Sequence, residues 1–206
     1  MKATDLSGRG YRREKIWDPA IRLWHWLLVI SVTTGWLLGE FRDFSTVEWH
    51  IYLGYCTGTL VVLRLIWGLV GPAPVRFSGL FHSPSQVFQY VRRVRGREPS
   101  GSPGHNPLGA LSVLVLLLLL MLQVSTGLFA EDDTLFASGP LSGWLSSGGV
   151  VRATSIHHIG ATLLLVFVGI HVAAVLFYLF WKRENLILPM ITGWKWVRLK
   201  QERESD

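Results

Sequence analysis

Three histidines lie in one long apolar stretch, residues 155–181. His157 and His171 are 14 residues apart. At about 100° and about 1.5 Å per residue, a helix places them within about 40° of each other and about 21 Å apart along its axis. His158 points about 140° away from His171 by the same geometry. Burying an ionisable side chain in an apolar span is costly, so the pattern predicts two functional imidazoles at two depths on one face. Two histidines that only pack inside a span are the alternative.

The stretch that carries these histidines exceeds the roughly 20 residues needed to cross a bilayer. The chain has 206 residues, is 50% hydrophobic and contains ten tryptophans, and its mean hydropathy is +0.34. Apolar runs predict four spans, at residues 21–39, 50–70, 107–129 and 155–181. These runs predict one all-α domain over residues 1–206, an integral membrane four-helix bundle with a basic loop at 71–106 and a tail at 182–206. The first run lacks a small-residue cleavage site, so we expect it to remain as a span.

The basic residues are distributed unevenly along the chain. The net charge is +6 and the pI is about 9.8, which alone would be compatible with nucleic-acid binding. However, 17 of the 20 Lys and Arg residues lie in the N-terminal segment with Arg22 at the mouth of the first span, in the 71–106 loop or after the fourth span. Only Arg42 and Arg152 lie in the other two loops, and Arg64 lies inside the second span. This asymmetry predicts that both termini and the 71–106 loop face the cytoplasm, and it favours membrane lipid over nucleic acid as the partner.

This topology assigns a depth to each histidine. His25 in span one lies near the inner surface, and His50 in span two lies near the outer surface. In span four, His157 lies near the outer surface and His171 about 21 Å further in. The levels match in two pairs, His50 with His157 and His25 with His171.

Two imidazoles per level suit a haem, whereas zinc prefers four protein ligands. We therefore expect two bis-histidine b haems stacked between helices one, two and four. Such ligation leaves no open iron position and favours electron transfer. The single cysteine, Cys56, excludes covalent attachment through a CxxCH motif and any disulfide within the chain.

Two arginines are candidates for binding a haem propionate. Arg64 follows His50 by 14 residues, so it shares the face of His50 and lies at the inner haem level. We expect it, together with Arg76, to bind the propionate; snorkelling of Arg64 to the inner surface is the alternative. Gly39 follows His25 by 14 residues and is expected to face the outer haem, where a side chain would collide with the porphyrin.

The start of span three offers a polar site at the inner surface. Asn106 and His105 are candidates to line a small-molecule site there, whereas the alternative is an N-cap at Asn106 with Pro107 as the first helical residue. Between spans two and three, residues 85–95 predict a short amphipathic interfacial helix. His158 is expected to be structural or to contact a propionate.

Five motifs occur in order along nearly the whole chain. They are DPAIRLWHW at 18–26, RLIWGLVGPAPVRF at 64–77, GHNPLGAL at 104–111, the His-x13-His spacing of span four and NLILPMITGWK at 185–195. Together they resemble the bacterial cytochrome b561 and Ni,Fe-hydrogenase b-type cytochrome superfamily. The resemblance implies a four-helix haem-b protein of the inner membrane, with axial ligands at His25, His50, His157 and His171. It also implies electron exchange with quinone beside the inner haem, near Asn106 and His171.

Three functions are compatible with these features. The first is electron transfer between a periplasmic redox partner, a cytochrome c or a hydrogenase-like protein, and the quinone pool, in either direction. The second is a stand-alone superoxide:quinone oxidoreductase, which would need a basic outer funnel. The third is a non-redox membrane anchor in which the histidines bind no haem. The oligomeric state is left open, with a homodimer as one arrangement.

Overall fold

The computed structural model describes residues 11–72, 75–97 and 106–198. Four helices in these ranges are long and apolar enough to cross a membrane, so the predicted membrane helical fold is confirmed. In chain order the α-helices and strands are β1 (Tyr11–Lys15), α1 (Pro19–Glu40), α2 (Val47–Val70), α3 (Pro84–Arg93), α4 (Pro107–Gly127), β2 (Glu131–Asp132), β3 (Ala137–Ser138), α5 (Ser147–Phe180), α6 (Ile187–Thr192) and β4 (Trp194–Arg198).

Polar side chains set where three of the spanning helices begin. Asp18 accepts a hydrogen bond from the backbone N–H of Ile21 at 2.9 Å. Asn106 caps α4 in the same way, accepting from Gly109 at 2.8 Å, and a proline follows each of these two caps. Ser146 caps α5, which therefore begins at residue 147, eight residues before the predicted 155. Each cap satisfies one of the N–H groups that a helix start leaves without a partner.

Short antiparallel strand pairs close the two ends of the bundle, and the all-α prediction did not include them. β1 pairs with β4, from Tyr11 opposite Arg198 to Lys15 opposite Trp194. We call this the terminal end of the bundle, because it joins the two ends of the described chain. β2 and β3 form a hairpin between α4 and α5, at what we call the hairpin end.

The four spanning helices pack as two pairs. α1 packs on α2 and α4 packs on α5, and the pairs meet through α2 and α4. Among the described residues, α5 makes no comparably close backbone approach to α1 or α2. The bundle centre is filled by a cluster of buried apolar side chains: Val61, Leu117, Leu120 and Leu164. The helices that are held apart, α5 against α1 and α2, are the ones that carry the histidines.

The terminal end is fastened by Gly193, between α6 and β4. Its carbonyl oxygen accepts hydrogen bonds from the N–H groups of Ile16 and Trp17, at 2.9 and 3.2 Å. Its φ is +85°, and a Cβ at this position would lie 2.6 Å from the Trp17 carbonyl oxygen. Close by, Lys195 pairs with the buried carboxylate of Glu184 at 2.7 Å. At residue 193, only glycine can both adopt the positive φ and avoid a Cβ contact with the Trp17 carbonyl oxygen without strain.

Gly193→Ala should therefore loosen the pairing of β1 with β4. A left-handed conformation costs a non-glycine residue about 1–2 kcal/mol, and the contact with Trp17 adds to that cost. We expect faster tryptic cleavage at Arg12 and Arg13 in the detergent-solubilised protein. Gly143→Ala is the control, since a Cβ at Gly143 meets nothing within 4 Å. Equal cleavage rates for the two variants would contradict this account.

Candidate functional site

The structure brings the predicted histidine pairs together. At the hairpin end, the ring centroids of His50 on α2 and His157 on α5 are 6.1 Å apart, with the ring planes at 89°. At the terminal end, His25 on α1 and His171 on α5 are close enough to interact electrostatically. All four imidazoles are half-buried within the chain. Each pair therefore bridges two helices that do not pack closely on each other.

Backbone carbonyl groups orient both imidazoles at the hairpin end. Nδ1 of His50 lies 2.7 Å from the carbonyl oxygen of Gly35, and Nδ1 of His157 lies 3.0 Å from that of Gln123. A carbonyl oxygen can only accept, so Nδ1 carries the proton in both rings and Nε2 keeps its lone pair. This is how metal-binding histidines are usually held, with one ring nitrogen donating to a carbonyl while the other serves as the ligand.

Two glycines allow these rings to lie against neighbouring helices. A Cβ on Gly39 would approach Cε1 of His50 to 2.9 Å, and a Cβ on Gly127 would approach Cε1 of His157 to 2.9 Å. The prediction placed Gly39 at this level and assigned the collision to a porphyrin. In the structure, the atom that a side chain at Gly39 would meet belongs to His50. The glycine therefore makes room for the imidazole itself.

A cavity of about 500 Å³ opens beside the hairpin-end pair and is lined by residues of α1, α2, α4, α5 and the hairpin. His50, Gly54 and His157 line it at this end, and Leu164 and Val168 line it towards the bundle centre. Its volume lies within the range of pockets that hold drug-sized or cofactor-sized ligands. The hairpin residues Asp132 and Ala137 also line it, so the β2–β3 hairpin covers the outer part of the cavity.

Arg42 fastens this hairpin to the end of α1. Its Nε donates to the carboxylate of Asp132 at 2.7 Å. The hydroxyl of Thr134 and the Arg42 guanidinium lower the pKa of Asp132 to about 2. Asp132 is therefore ionised at neutral pH, and the contact persists as a charged pair.

Gln123 on α4 belongs to this site, although the sequence did not single it out. Besides its carbonyl contact, its side-chain amide lies 3.1 Å from Nε2 of His157, while its Oε1 is buried without a partner among the described residues. A Cβ on Gly160 would come within 2.6 Å of that oxygen, so the glycine admits the amide. A metal at Nε2 of His157 requires the Gln123 amide to turn away. The one sign of this role in the sequence was that Gln123 is the only amide side chain in α4.

His158 stays apart from the pairing, as the helical geometry predicts. Its ring makes an edge contact with His157, with centroids 6.3 Å apart. The side chain is exposed within the chain, whereas that of His157 is half-buried. Both histidines line the cavity, but they differ in burial, and His157 is the one whose ring lies against that of His50.

The terminal-end pair has fewer protein partners. Nδ1 of His171 lies 3.4 Å from the hydroxyl oxygen of Ser112, near the limit of a hydrogen bond. Nδ1 of His25 is buried and has no partner among the described residues. A buried nitrogen without a partner is costly, and no described residue near His25 offsets that cost.

Arg64 is buried near the terminal end of α2, with only 4% of its surface exposed. Its guanidinium carbon lies 4.9 Å from the ring centroid of Phe77 and 5.9 Å from that of Trp24. Nη1 has no hydrogen-bond partner among the described residues. The snorkelling alternative is therefore wrong for this structure. A buried cation needs an anion, and a carboxylate carried by a ligand would supply one.

Arg76, the other predicted propionate partner, is placed differently. It is exposed, and its Nε donates to the carbonyl oxygen of Gly71 at 2.6 Å. It therefore braces the turn after α2, and the remaining donors of its guanidinium face the surface.

Asn106 is the N-cap of α4, which is one of the two roles that the sequence left open. Its Nδ2 also donates to the hydroxyl of Tyr178 on α5 at 3.1 Å. That hydroxyl lies 2.6 Å from the hydroxyl of Tyr90 on α3. Burial, and then the bond to Tyr178, raises the pKa of Tyr90, so its hydroxyl stays protonated. His105, the other polar candidate, lies outside the described residues.

The donor set at each end fits a haem better than a bare metal ion. No group of three or more His, Cys, Asp or Glu side chains that could hold a metal occurs among the described residues. A haem would need only two protein ligands, and the two imidazoles of each pair would supply them. The unpaired Arg64 adds a cation for a ligand carboxylate.

The chain is similar over most of its length to b-type cytochromes. The family model described as prokaryotic cytochrome b561 matches residues 16–193. Curated relatives named probable Ni/Fe-hydrogenase B-type cytochrome subunit are 26% identical in Rhizobium leguminosarum bv. viciae, over 92% of this chain and 90% of the relative, and 26% identical in Azotobacter vinelandii, over 87% of each. A relative of the same name in Rhodobacter capsulatus is 23% identical over 86% of this chain and 79% of its own length. No solved structure matches the chain. The family model spans the four membrane helices and all four paired histidines, and the chain belongs to the prokaryotic cytochrome b561 family.

Proposed function

We propose that this protein carries electrons across the bacterial inner membrane between a redox partner at the hairpin end and quinone at the terminal end, through two b haems. Membership in the family makes it a membrane electron-transfer protein that contains haem b. The proposal adds the number of haems, their ligands and the two ends of the path. The observation that carries it is the presence of two imidazole pairs, one near each end of the bundle, on helices that do not pack closely.

The residues assigned to each haem follow from the contacts. We assign His50 and His157 to the hairpin-end haem, because both rings offer Nε2 and anchor Nδ1 on a carbonyl. We assign His25 and His171 to the terminal-end haem, with Arg64 as the partner of a propionate. When bound by two imidazoles, haem supplies a reversible one-electron iron couple with no open coordination position. The chain's part is to hold the ligands, exclude water and neutralise the propionate.

The orientation and the partners are part of the same proposal. Along the chain, 17 of the 20 Lys and Arg residues precede α1, lie in its first turn, lie between α2 and α4 or follow α5. These segments adjoin the terminal end, so we place this end in the cytoplasm. The relatives' names refer to a Ni/Fe hydrogenase, which supports a hydrogenase-type redox partner at the periplasmic, hairpin end; a cytochrome c remains the other candidate. Superoxide is less well supported, because Arg42, one of only two cations in the periplasmic loops, is paired with Asp132.

We place the quinone near Asn106, Tyr178 and His171. Asn106 and Tyr178 are buried polar residues at the terminal end, and they are hydrogen-bonded to each other. Ser112 on α4, six residues after Asn106, lies 3.4 Å from Nδ1 of His171 on α5. Quinone carbonyl oxygens accept hydrogen bonds, which the Asn106 amide and the tyrosine hydroxyls are able to donate.

Removing one histidine of a pair should remove one haem. His157→Ala is expected to halve the haem-to-protein ratio, measured by pyridine haemochrome and reduced-minus-oxidised spectra. His158→Ala is the matched control on the same helix and should retain both haems, because His158 is exposed and outside the pairs. Loss of both haems in His157→Ala would contradict independent sites. Full haem content in that variant would exclude His157 as a ligand.

Loss of the charge at Arg64 should lower the midpoint potential of one haem. A unit cation stabilises the reduced, more negative state. At about 10 Å and an effective dielectric constant of about 20, this is about 1.7 kcal/mol, or about 70 mV for one electron. We expect Arg64→Gln to lower the terminal-end potential by this order in a redox titration.

Arg76→Gln is the comparison for this measurement. Because Arg76 is exposed, solvent screens its charge, and the expected shift is clearly smaller. An unchanged potential in Arg64→Gln, with both haems bound, would contradict a propionate next to Arg64.

Substitutions at Asn106 separate its capping role from quinone binding. Asn106→Asp keeps the acceptor for Gly109 but loses the N–H that donates to Tyr178, whereas Asn106→Ala loses both and costs the helix about 1 kcal/mol. We expect both variants to slow quinone reduction at least tenfold and to keep both haems. The readout compares reduction of a soluble quinone with reduction of haem by dithionite. If Asn106→Asp turns over at the wild-type rate, quinone does not depend on this amide.

A further inference from the structure

We propose that the terminal end carries a binding site for the headgroup of an anionic phospholipid, formed by Arg92, Arg93, Arg95, Arg97 and Trp181. We call these residues the arginine–tryptophan patch. The proposal concerns a surface remote from the imidazole pairs and holds whichever redox partner the chain serves. Four arginines within six residues follow or end α3, on the segment that leads towards α4.

The patch is fixed at the end of a membrane-spanning helix. Trp181 directly follows α5, and its Nε1 donates to the carbonyl oxygen of Arg95 at 3.0 Å. The indole also stacks on Phe177, with centroids 6.5 Å apart and ring planes at 20°. The ends of spanning helices, and tryptophans there, lie at the level of the lipid headgroups. The hydrogen bond therefore holds the basic segment at headgroup depth.

Two of the four guanidinium groups, those of Arg92 and Arg97, lie over aromatic rings. The Arg97 guanidinium carbon lies 4.7 Å from the Trp181 ring centroid, and that of Arg92 lies 5.9 Å from the Phe88 ring centroid. A guanidinium that stacks on a ring keeps its N–H donors free at its edge, where they match phosphate oxygens bidentately. The rings thus position the arginines without occupying their hydrogen-bond donors.

The charges of the patch are not neutralised by the part of the chain that the structure describes. All four arginines are exposed, and none forms an ion pair with a described residue. Glu184, three residues after Trp181, is buried and paired with Lys195. An anion from outside the chain is therefore the expected counter-charge.

Apolar side chains beside the arginines favour a lipid over a free anion. On α3, Phe88 is 63% exposed and Val91 is 44% exposed, and Trp181 is 45% exposed. Inorganic phosphate would leave these side chains in water, whereas a phospholipid offers a phosphate next to acyl chains. The opposite side of α3 is held to the bundle by the Tyr90–Tyr178 hydrogen bond. α3 therefore presents charge and apolar surface together to the membrane interface.

The test uses the full-length, haem-loaded protein in detergent and measures retained lipid by native mass spectrometry. Phosphatidylglycerol is titrated against phosphatidylcholine for the wild type and for the triple variant Arg93→Gln, Arg95→Gln, Arg97→Gln. Each arginine near the membrane surface contributes about fivefold to the affinity for an anionic lipid. We therefore expect phosphatidylglycerol to bind about 100-fold more weakly to the triple variant. Phosphatidylcholine binding and haem content should stay unchanged.

A second triple variant, Arg12→Gln, Arg13→Gln, Lys15→Gln, removes the same charge from β1 at the same end of the bundle. It should bind phosphatidylglycerol like the wild type. An equal loss of phosphatidylglycerol affinity in both triple variants would show that only overall charge matters and would overturn the site. Undiminished phosphatidylglycerol binding by the first triple variant would also overturn it. In a third measurement, inorganic phosphate at millimolar concentration is added to the wild-type protein with bound phosphatidylglycerol. The lipid should stay bound, and its displacement by phosphate alone would identify a simple anion site instead.

Discussion

The bilayer interior contains no water, so every polar group in a span needs a partner within the protein or in a bound group. Most of the polar side chains in these helices obey this constraint visibly. Ser31 and Thr57 bond to each other at 2.7 Å in the middle of α1 and α2, and His50 and His157 donate to carbonyl oxygens. His25 and Arg64 do not find such partners among the described residues. The unpaired Arg64 guanidinium is the group that the carboxylate of a bound ligand would satisfy.

The same constraint explains why the helices are spaced unevenly. Close backbone packing joins α1 to α2 and α4 to α5, while the imidazoles face each other across the wider gaps to α5. Leu164 lies seven residues from both His157 and His171, within the buried apolar cluster. A layer of buried apolar side chains therefore lies between the two imidazole pairs. If each pair held a haem, as proposed, the polarity around each could differ and so give the two haems different potentials.

Regular helical geometry made the four histidines predictable, because spacing in a straight span converts directly into angle and depth. The separation of His157 from His158 followed from angle alone. Gln123 was missed because α4 carries no histidine and so had no partner against which to measure a spacing. The β1–β4 pair was missed because its strands are about 180 residues apart and carry no periodic apolar pattern that distinguishes them from a basic tail. The burial of Arg64 depended on Trp24 and Phe77, whose positions only the tertiary fold provides.

The β1–β4 pair also bears on how the protein is made. β4 lies beyond α5, so the ribosome has to synthesise all four spans before β1 can find its partner. Until then, Ile16 and Trp17 lack the backbone acceptor that Gly193 provides. Pairings between such distant segments form late, because the intervening chain must first be ordered. The terminal end, near which His25 and Arg64 lie, is thus completed only after all four spans have been synthesised and inserted.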